Sequence, residues 1–485
     1  MLFNSLEFAI FFVTFFFLYW FVFHRHLKIQ NLLILIGSCA FYAWWDWRFL
    51  SLLAGSSMVN YFLGIYIDKS ENEKRRRFLI FLGLLQGLGG LLFFKYFNFF
   101  IHSLVDAFSV VNVNVNFHTL NLILPLGISF YTFRAISYLL DIESGKIKPT
   151  TDLVVFSTYM FFFPSLLSGP IDRAKTLIPQ LEKIRVFDYN QAADGSRQIF
   201  WGLFKKVVIA DNCAAITSQL FDNYQDFPAS SLLVGIFLYT IQVYTDFSGY
   251  SDMSIGFSRL IGFNITINFN FPFFSQNIAE FWRRWHISLT TWMTDYVFTP
   301  LSITFRDMGK SGLILAILIN FILVGLWHGA NWTFIVFGLL QGCCFIPLIV
   351  RGKLKRKKNI SKDRLLPTLR ESANMLGTFT FVMLTMIVFR SATIGQALQY
   401  YRSFFSVSLF SKPVIPIGQS KMFLSLIMFI SAMLVIEWLQ RGKEHGLQID
   451  HIEHPVLKLI LYYTLIFIVI LFGATTANQF IYFKF

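Results

Sequence analysis

The feature that most constrains this chain is an alternation of long, almost uncharged apolar runs with short basic clusters. Runs of spanning or near-spanning length occur at about residues 5–23, 31–45, 49–67, 78–101, 120–140, 230–247, 311–327, 332–350, 372–390, 422–438 and 456–473. A bilayer is crossed by about 20 apolar residues in a helix, and helices satisfy their backbone groups without help from lipid. The pattern predicts an all-α, polytopic membrane protein of about 11 transmembrane helices. The 31–45 run is short, so it is either tilted or flanked by interfacial Trp44, Trp45 and Trp47. Charged residues make up only 14% of the chain, against about 25% in soluble proteins.

The net charge of +14 would suggest nucleic acid in a soluble protein, but here the bases sit between apolar runs. The clusters are His24-Arg25-His26-Leu27-Lys28, Lys74-Arg75-Arg76-Arg77 and RGKLKRKK from Arg351 to Lys358. That is the distribution of cytoplasmic loops under the positive-inside rule, and no nucleic-acid partner is expected. With 24–28 and 74–77 both cytoplasmic, the first span runs inward, 31–67 forms a hairpin turning outside at Asp46-Trp47-Arg48, and the N-terminus is extracytoplasmic. Residues 5–23 lack a basic start and a small-residue cleavage site and contain Glu7, so they read as a retained span rather than a signal peptide. Cys39, Cys213, Cys343 and Cys344 lie in or beside apolar segments without metal-ligand spacing, which supports neither a disulfide framework nor zinc.

No soluble domain is expected. The longest polar gap, 351–371, is the size of a loop. The chain reads as one membrane domain over 1–485, with N-terminal spans in 1–150, a core in 151–345 and C-terminal spans in 346–485. The stretch 153–300 carries Pro164, Pro170, Pro179 and the pair Lys205-Lys206 and does not read as clean spans. Irregular backbone at membrane depth is tolerated only where protein or a water-filled cavity surrounds it, so re-entrant and interfacial helices are expected here.

Four constellations could carry chemistry. In Gly325-Leu326-Trp327-His328-Gly329-Ala330-Asn331-Trp332, about 17 helical residues from Ser311 precede His328, roughly 25 Å of rise against a hydrocarbon core of about 30 Å. His328 therefore falls between mid-membrane and the outer face. An ionisable group there is costly and functional by default, and imidazole suits general-base work near neutral pH. The alternative is a histidine hydrogen-bonded inside the bundle. Gly325 and Gly329 leave room for a backbone or a substrate to approach. In QNIAEFWRRWHISLTTWMTDYVFTP (276–300), Ile278, Phe281, Trp282, Trp285, Leu289, Trp292, Met293 and Tyr296 share one helical face. Glu280, Arg283, Arg284, Thr291 and Asp295 share the other. This is the pattern of an interfacial helix, with His286 on the flank of the apolar stripe. It either points into the protein or is incidental.

Tyr244-Thr245-Asp246-Phe247-Ser248-Gly249-Tyr250-Ser251-Asp252 directly follows an apolar run. It either lines a hydrated pocket or positions a histidine, or it forms a helix cap and turn. Pro125-Leu126-Gly127 to Arg134 suggests a kinked span whose arginine meets a buried charge, contacts an anion or snorkels. His445 and Asp450, with His451 and His454, read as a solvated loop. No G-x-S-x-G elbow, P-loop or GxGxxG motif occurs.

These pieces resemble the membrane-bound O-acyltransferase family, in the bacterial branch of alginate O-acetylation membrane proteins and teichoic acid D-alanyl transfer proteins. The resemblance is carried by SCAFYAWWDWRF (38–49), PLGISFYTFRAISYLLD (125–141), FPSLLSGPIDR (163–173) and DFSGYSDMSIGFSRLIGF (246–263). EFWRRWHISLTTWMTDYVFTPL (280–301), GLWHGANWTFIVFGLLQG (325–342) and the terminal FIYFKF (480–485) complete it. It implies a ring of helices around a thinned centre, with a cytoplasmic entrance for an acyl thioester and an outer opening for the acceptor. It also implies that His328 is the membrane-embedded catalytic histidine and His286 the second histidine of the bacterial branch. Trp327, Asn331, Trp285, Arg284, Asp246 and Ser248 are expected to bind substrate. The chain departs from the family at Ser302-Ile303-Thr304, where a Gly-Gly-Asn turn is usual, and at Asn268-Phe269-Asn270-Phe271-Pro272-Phe273, which lacks an arginine.

The expectation is therefore an O-acyltransferase of the bacterial inner membrane. It would move an acyl group, acetyl foremost, from an acyl-CoA or acyl-carrier thioester to an extracytoplasmic polysaccharide, with a secreted hydrolase-like partner, no bound cofactor and no metal. D-alanyl transfer, a non-enzymatic transporter and a structural scaffold are the alternatives. The absence of halves with matching hydropathy weighs against a transporter.

Overall fold

The computed structural model describes residues 1–113, 119–354, 364–416, 418–450, 452–474 and 480–481. Among these, all regular elements are helical. His451, Lys355 to Lys358 of the basic loop, and residues 482–485 of the terminal motif lie outside the described residues.

The chain divides into two compact units, Met1–Ala192 with Ser258–Thr266, and Ala193–Phe257 with Ile267–Phe485. The first carries α1 (Leu6–Phe17), α2 (Leu27–Asp46), α3 (Arg48–Asp68), α4 (Glu73–Leu91), α5 (Phe97–Val110), α6 (Ile128–Glu143), α7 (Leu153–Phe161), α8 (Phe163–Leu166) and α9 (Ala174–Leu181). Then follow α10 (Tyr189–Leu203), α11 (Asp211–Asp222) and α12 (Ala229–Leu260). The second unit continues with α13 (Ile278–Arg284), α14 (Ile287–Met293), α15 (Thr299–Thr304), α16 (Gly309–His328), α17 (Trp332–Cys343) and α18 (Ile346–Val350). It ends with α19 (Leu369–Arg390), α20 (Ile394–Ser403), α21 (Ser420–Leu439) and α22 (Pro455–Phe472).

Nine described helices are long and apolar enough to cross a membrane, which makes this a multi-pass membrane protein. They differ from the sequence reading in specific places. The 5–23 run is a 17-residue helix, Leu6–Val22, whose last turn is wound as π-helix. The 78–101 run extends to one 38-residue helix, Glu73–Val110, with a π-bulge at Leu92–Tyr96. The 120–140 run is not one continuous helix. Gly127 takes φ +74° within close range of the Leu166 carbonyl, where only glycine fits, and the helix begins after it, as the 16-residue α6.

Within the first unit, Arg134 is 2% exposed. Its guanidinium donates to the carbonyls of Tyr159 and Met160 and to Ser165 Oγ at 2.8, 3.2 and 2.9 Å. It thereby caps the C-terminal end of α7, where carbonyls lack helical partners and the helix dipole favours a cation. The arginine is thus an internal clamp and does not snorkel.

The second unit packs by close backbone approach. Gly202 of α10 meets the Gly249 carbonyl of α12, and Gly256 meets Gly195, at separations a Cβ would close to 2.5 Å. The antiparallel pair α16 and α17 is equally tight. A Cβ on Gly325 would lie 2.2 Å from the Phe334 carbonyl, and one on Gly338 2.2 Å from that of Phe321. Gly329 is filled by the Phe334 ring. The glycines around His328 therefore receive backbone and a ring rather than a substrate.

Candidate active site

His328 is the last residue of α16, and the chain turns to extended backbone at Gly329. Asn331 restarts helix as the cap of α17, its Oδ1 accepting from Thr333 N at 3.0 Å and its Nδ2 donating to the Ala392 carbonyl at 2.9 Å. Because the glycines hold α16 against α17, His328 is 4% exposed and its ring faces aromatic neighbours. The ring centroids of Trp327 and Phe389 stand 5.1 and 5.2 Å away, and that of Phe337 6.2 Å.

The stretch 276–300 was expected as one interfacial helix and is instead broken. Asn277 caps α13 through Glu280 N, the helix stops at Trp285, and His286 takes φ 43°, ψ 55° before α14 starts. Left-handed backbone costs a non-glycine residue about 1–3 kcal/mol and persists only where the surroundings hold it. Asn268 supplies that hold. Its carbonyl accepts from Ile287 N at 2.9 Å, and its side-chain oxygen accepts from Ser288 N at 3.3 Å and Ser288 Oγ at 2.8 Å. Asn268 Nδ2 donates to Ser251 Oγ at 3.2 Å. Phe281, Trp282, Trp285, Leu289 and Glu280 are buried, so the residues around the break belong to the core, while Thr294 to Pro300 stay largely exposed.

His286 is 0% exposed, and its Nδ1 lies 3.0 Å from the same Asn268 oxygen. A backbone N–H can only donate, so its bond identifies that atom as oxygen and not amide nitrogen. Nδ1 must then carry the proton, leaving the lone pair of a neutral ring on Nε2. Burial, and after it the neighbouring His328, hold the His286 imidazole well below the ordinary histidine range. The Trp327 ring joins the two histidines: its centroid is 5.5 Å from that of His286 and 5.1 Å from that of His328. Phe247 of α12 closes the other side of His286 at 4.6 Å, edge-on.

Beside His328 lies a narrow cavity walled by Val243, Phe281, Trp282, Trp285, Phe337, Gln341, Met386 and Phe389. Its free volume is about 10 Å³, roughly the space one water needs. Trp282 Nε1 donates to Gln341 Oε1 at 3.1 Å, and Gln341 Nε2 donates to Thr385 Oγ1 at 2.8 Å. This largely apolar setting strengthens any electrostatic interaction made inside it.

Of the residues expected at the site, His328, His286, Trp327 and Trp285 come together. Arg284 pairs with Glu280 at 2.8 Å instead, and Asn331 serves the helix cap. Asp246 and Ser248 sit mid-helix in α12, not in a turn. They flank Phe247 but are tied elsewhere: Asp246 to Lys206 at 2.7 Å and to Ile481 N at 2.7 Å, Ser248 to Lys205 Nζ at 2.9 Å. Lys206 also bridges Asp211 at 2.8 Å, and Lys205 bridges Asp252 at 2.6 Å. This buried ionic layer borders a second cavity of about 840 Å³, walled by Lys206, Asp211, Asp246, Gln242 and Phe429 among others. Neither histidine lines it. Asn268 and Phe247, which orient and enclose His286, went unassigned in the sequence. The only signal was their place in the motif stretches. The loop at 440–450 is partly exposed but tethered at two points: His445 is buried against Asp194 at 3.1 Å, and Asp450 pairs with Arg197. No group of three or more metal-ligating side chains occurs among the described residues.

The profile of the membrane-bound O-acyltransferase family matches residues 146–391, which contain both histidines, Asn268 and the cavity walls. The chain is 36% identical to the probable alginate O-acetylase AlgI of Pseudomonas aeruginosa over 385 residues, 78% of this chain and 70% of that one. It is 33% identical to the peptidoglycan O-acetyltransferase of Helicobacter pylori over 435 residues, 82% and 79% of the two chains. With the teichoic acid D-alanyltransferase of Streptococcus thermophilus it shares 32% over 317 residues, 60% of this chain and 75% of the relative. By profile and by these long alignments, this multi-pass protein belongs to the membrane-bound O-acyltransferase family.

Proposed function

We propose that the protein O-acylates an extracytoplasmic polymer from the bacterial inner membrane, moving an acetyl group from a cytoplasmic CoA or carrier thioester. The observation that carries the reading is the pair of buried histidines joined through Trp327, with a small apolar cavity beside His328. His328 is the general base. It takes the proton of the acceptor hydroxyl as the oxygen attacks the thioester carbonyl. Collapse of the tetrahedral adduct breaks the C–S bond, and the imidazolium returns the proton to the departing thiolate. His286, with its proton committed to Asn268, offers an acceptor at Nε2 and so receives a hydrogen bond from the hydroxyl side of the reaction. It does not donate to the thioester carbonyl.

The relatives' names supply acetyl and D-alanyl as the acyl groups. The cavity lining holds no carboxylate to pair with a D-alanyl ammonium, which favours acetyl. A secreted hydrolase-like transferase would complete delivery to the polysaccharide. The test is to compare polymer O-acylation in cells carrying the wild-type chain and His328→Ala at equal membrane levels. Loss of the esters is expected, and full retention would sink the reading.

A further inference from the structure

We infer that this protein selects its acyl group by length, and that Trp282, locked by Gln341 and Thr385, forms with Met386 the wall that stops the chain at two carbons. The inference rests on the acyl-transfer reading of His328. The cavity that touches His328 is an apolar space into which the acyl tail of a thioester would extend with its carbonyl held at that residue, and it admits about one methyl-sized group. Its lining is not soft. An indole held by an amide that is itself held by a hydroxyl, at 3.1 and 2.8 Å, cannot rotate aside without leaving buried Gln341, 1% exposed, short of a partner. Met386, which also lines the cavity, is a flexible side chain whose removal opens space without breaking that chain.

An added methylene in a fitted pocket changes selectivity by about 10- to 200-fold. The test feeds cells equal acetate, propionate and butyrate and measures the esters released from the envelope polymer by mild base. The full-length chain is used as wild type, Met386→Ala, Gln341→Leu and His328→Ala. Wild type should give acetyl esters with propionyl at least about tenfold lower. Met386→Ala and Gln341→Leu should each raise the propionyl-to-acetyl ratio by about tenfold or more. A ratio is independent of how much protein reaches the membrane, and Phe337→Leu gives a third opening if either variant fails to accumulate. Butyryl and acetyl at parity in wild type, or ratios unmoved in the opened variants, overturns the inference and leaves acyl transfer standing. Esters of all three lengths persisting in His328→Ala overturns the acyl-transfer reading itself.

Discussion

The side-chain oxygen of Asn268 stands 3.0 Å from Nδ1 of His286 and dictates which nitrogen of that ring is basic. The same oxygen receives two bonds from Ser288, so one asparagine sets both the tautomer and the left-handed turn that presents the ring. Asn268→Asp would replace this neutral acceptor with a carboxylate, which stabilises the imidazolium and raises the His286 pKa. A protonated Nε2 no longer accepts a hydrogen bond. The expected outcome is a pH–activity profile displaced to higher pH with activity recovered on the alkaline side. Asn268→Ala should lower activity at every pH. Coincident profiles for wild type and Asn268→Asp would refute the orienting role.

Replacing the proposed base should cost about 100- to 10,000-fold in turnover. His328→Ala is expected to show this loss when ester content is compared at matched membrane levels of the protein. His286→Ala should also relieve left-handed strain only in part, and His286→Gly more fully. A more stable His286→Gly protein with lost transfer, read by thermal unfolding in detergent and by ester content, is the predicted signature of strain retained for function.

Close packing of α16 on α17 sets where His328 sits. Gly325→Ala drives a Cβ to 2.2 Å from a carbonyl and should cost about 1–3 kcal/mol by overpacking. Gly89→Ala in α4 meets nothing within 4 Å and should stabilise by about 0.5–1 kcal/mol. The opposite signs of the two unfolding-temperature shifts are the check.

Lys206 is shared by Asp211 and Asp246 at 2.8 and 2.7 Å in a buried layer. Lys206→Met removes the ammonium both carboxylates rely on and should destabilise by about 3–5 kcal/mol. The triple variant Lys206→Met, Asp211→Asn, Asp246→Asn should recover most of that loss, since no net buried charge then remains. A single variant as stable as wild type would show that the layer holds no such ionic dependence.

Much of this protein was determined by sequence alone. Membrane crossing is written in consecutive residues, because each helix satisfies its own backbone and must only be apolar for its own length. His328 was legible for the same reason: an imidazole within an apolar run stands out locally. The family motifs likewise survive as contiguous strings. Tertiary structure decided the rest. The 120–140 run looked like one unbroken helix, yet it begins only at Ile128, because Gly127 meets Leu166 in a left-handed turn. The stretch 276–300 followed a helical period, yet it breaks at His286 because Asn268, 18 residues earlier, outbids the helix for its hydrogen bonds. In sequence Asp246 and Ser248 suit a hydrated pocket, a histidine partner or a helix cap, but helix α12 turns the intervening Phe247 to His286 and delivers its two neighbours to Lys206 and Lys205. The size of the cavity beside His328 depends on side chains from α12, α13, α17 and α19. Such walls leave no periodic trace, because their meeting is set by how helices cross and not by the order of residues within any one of them.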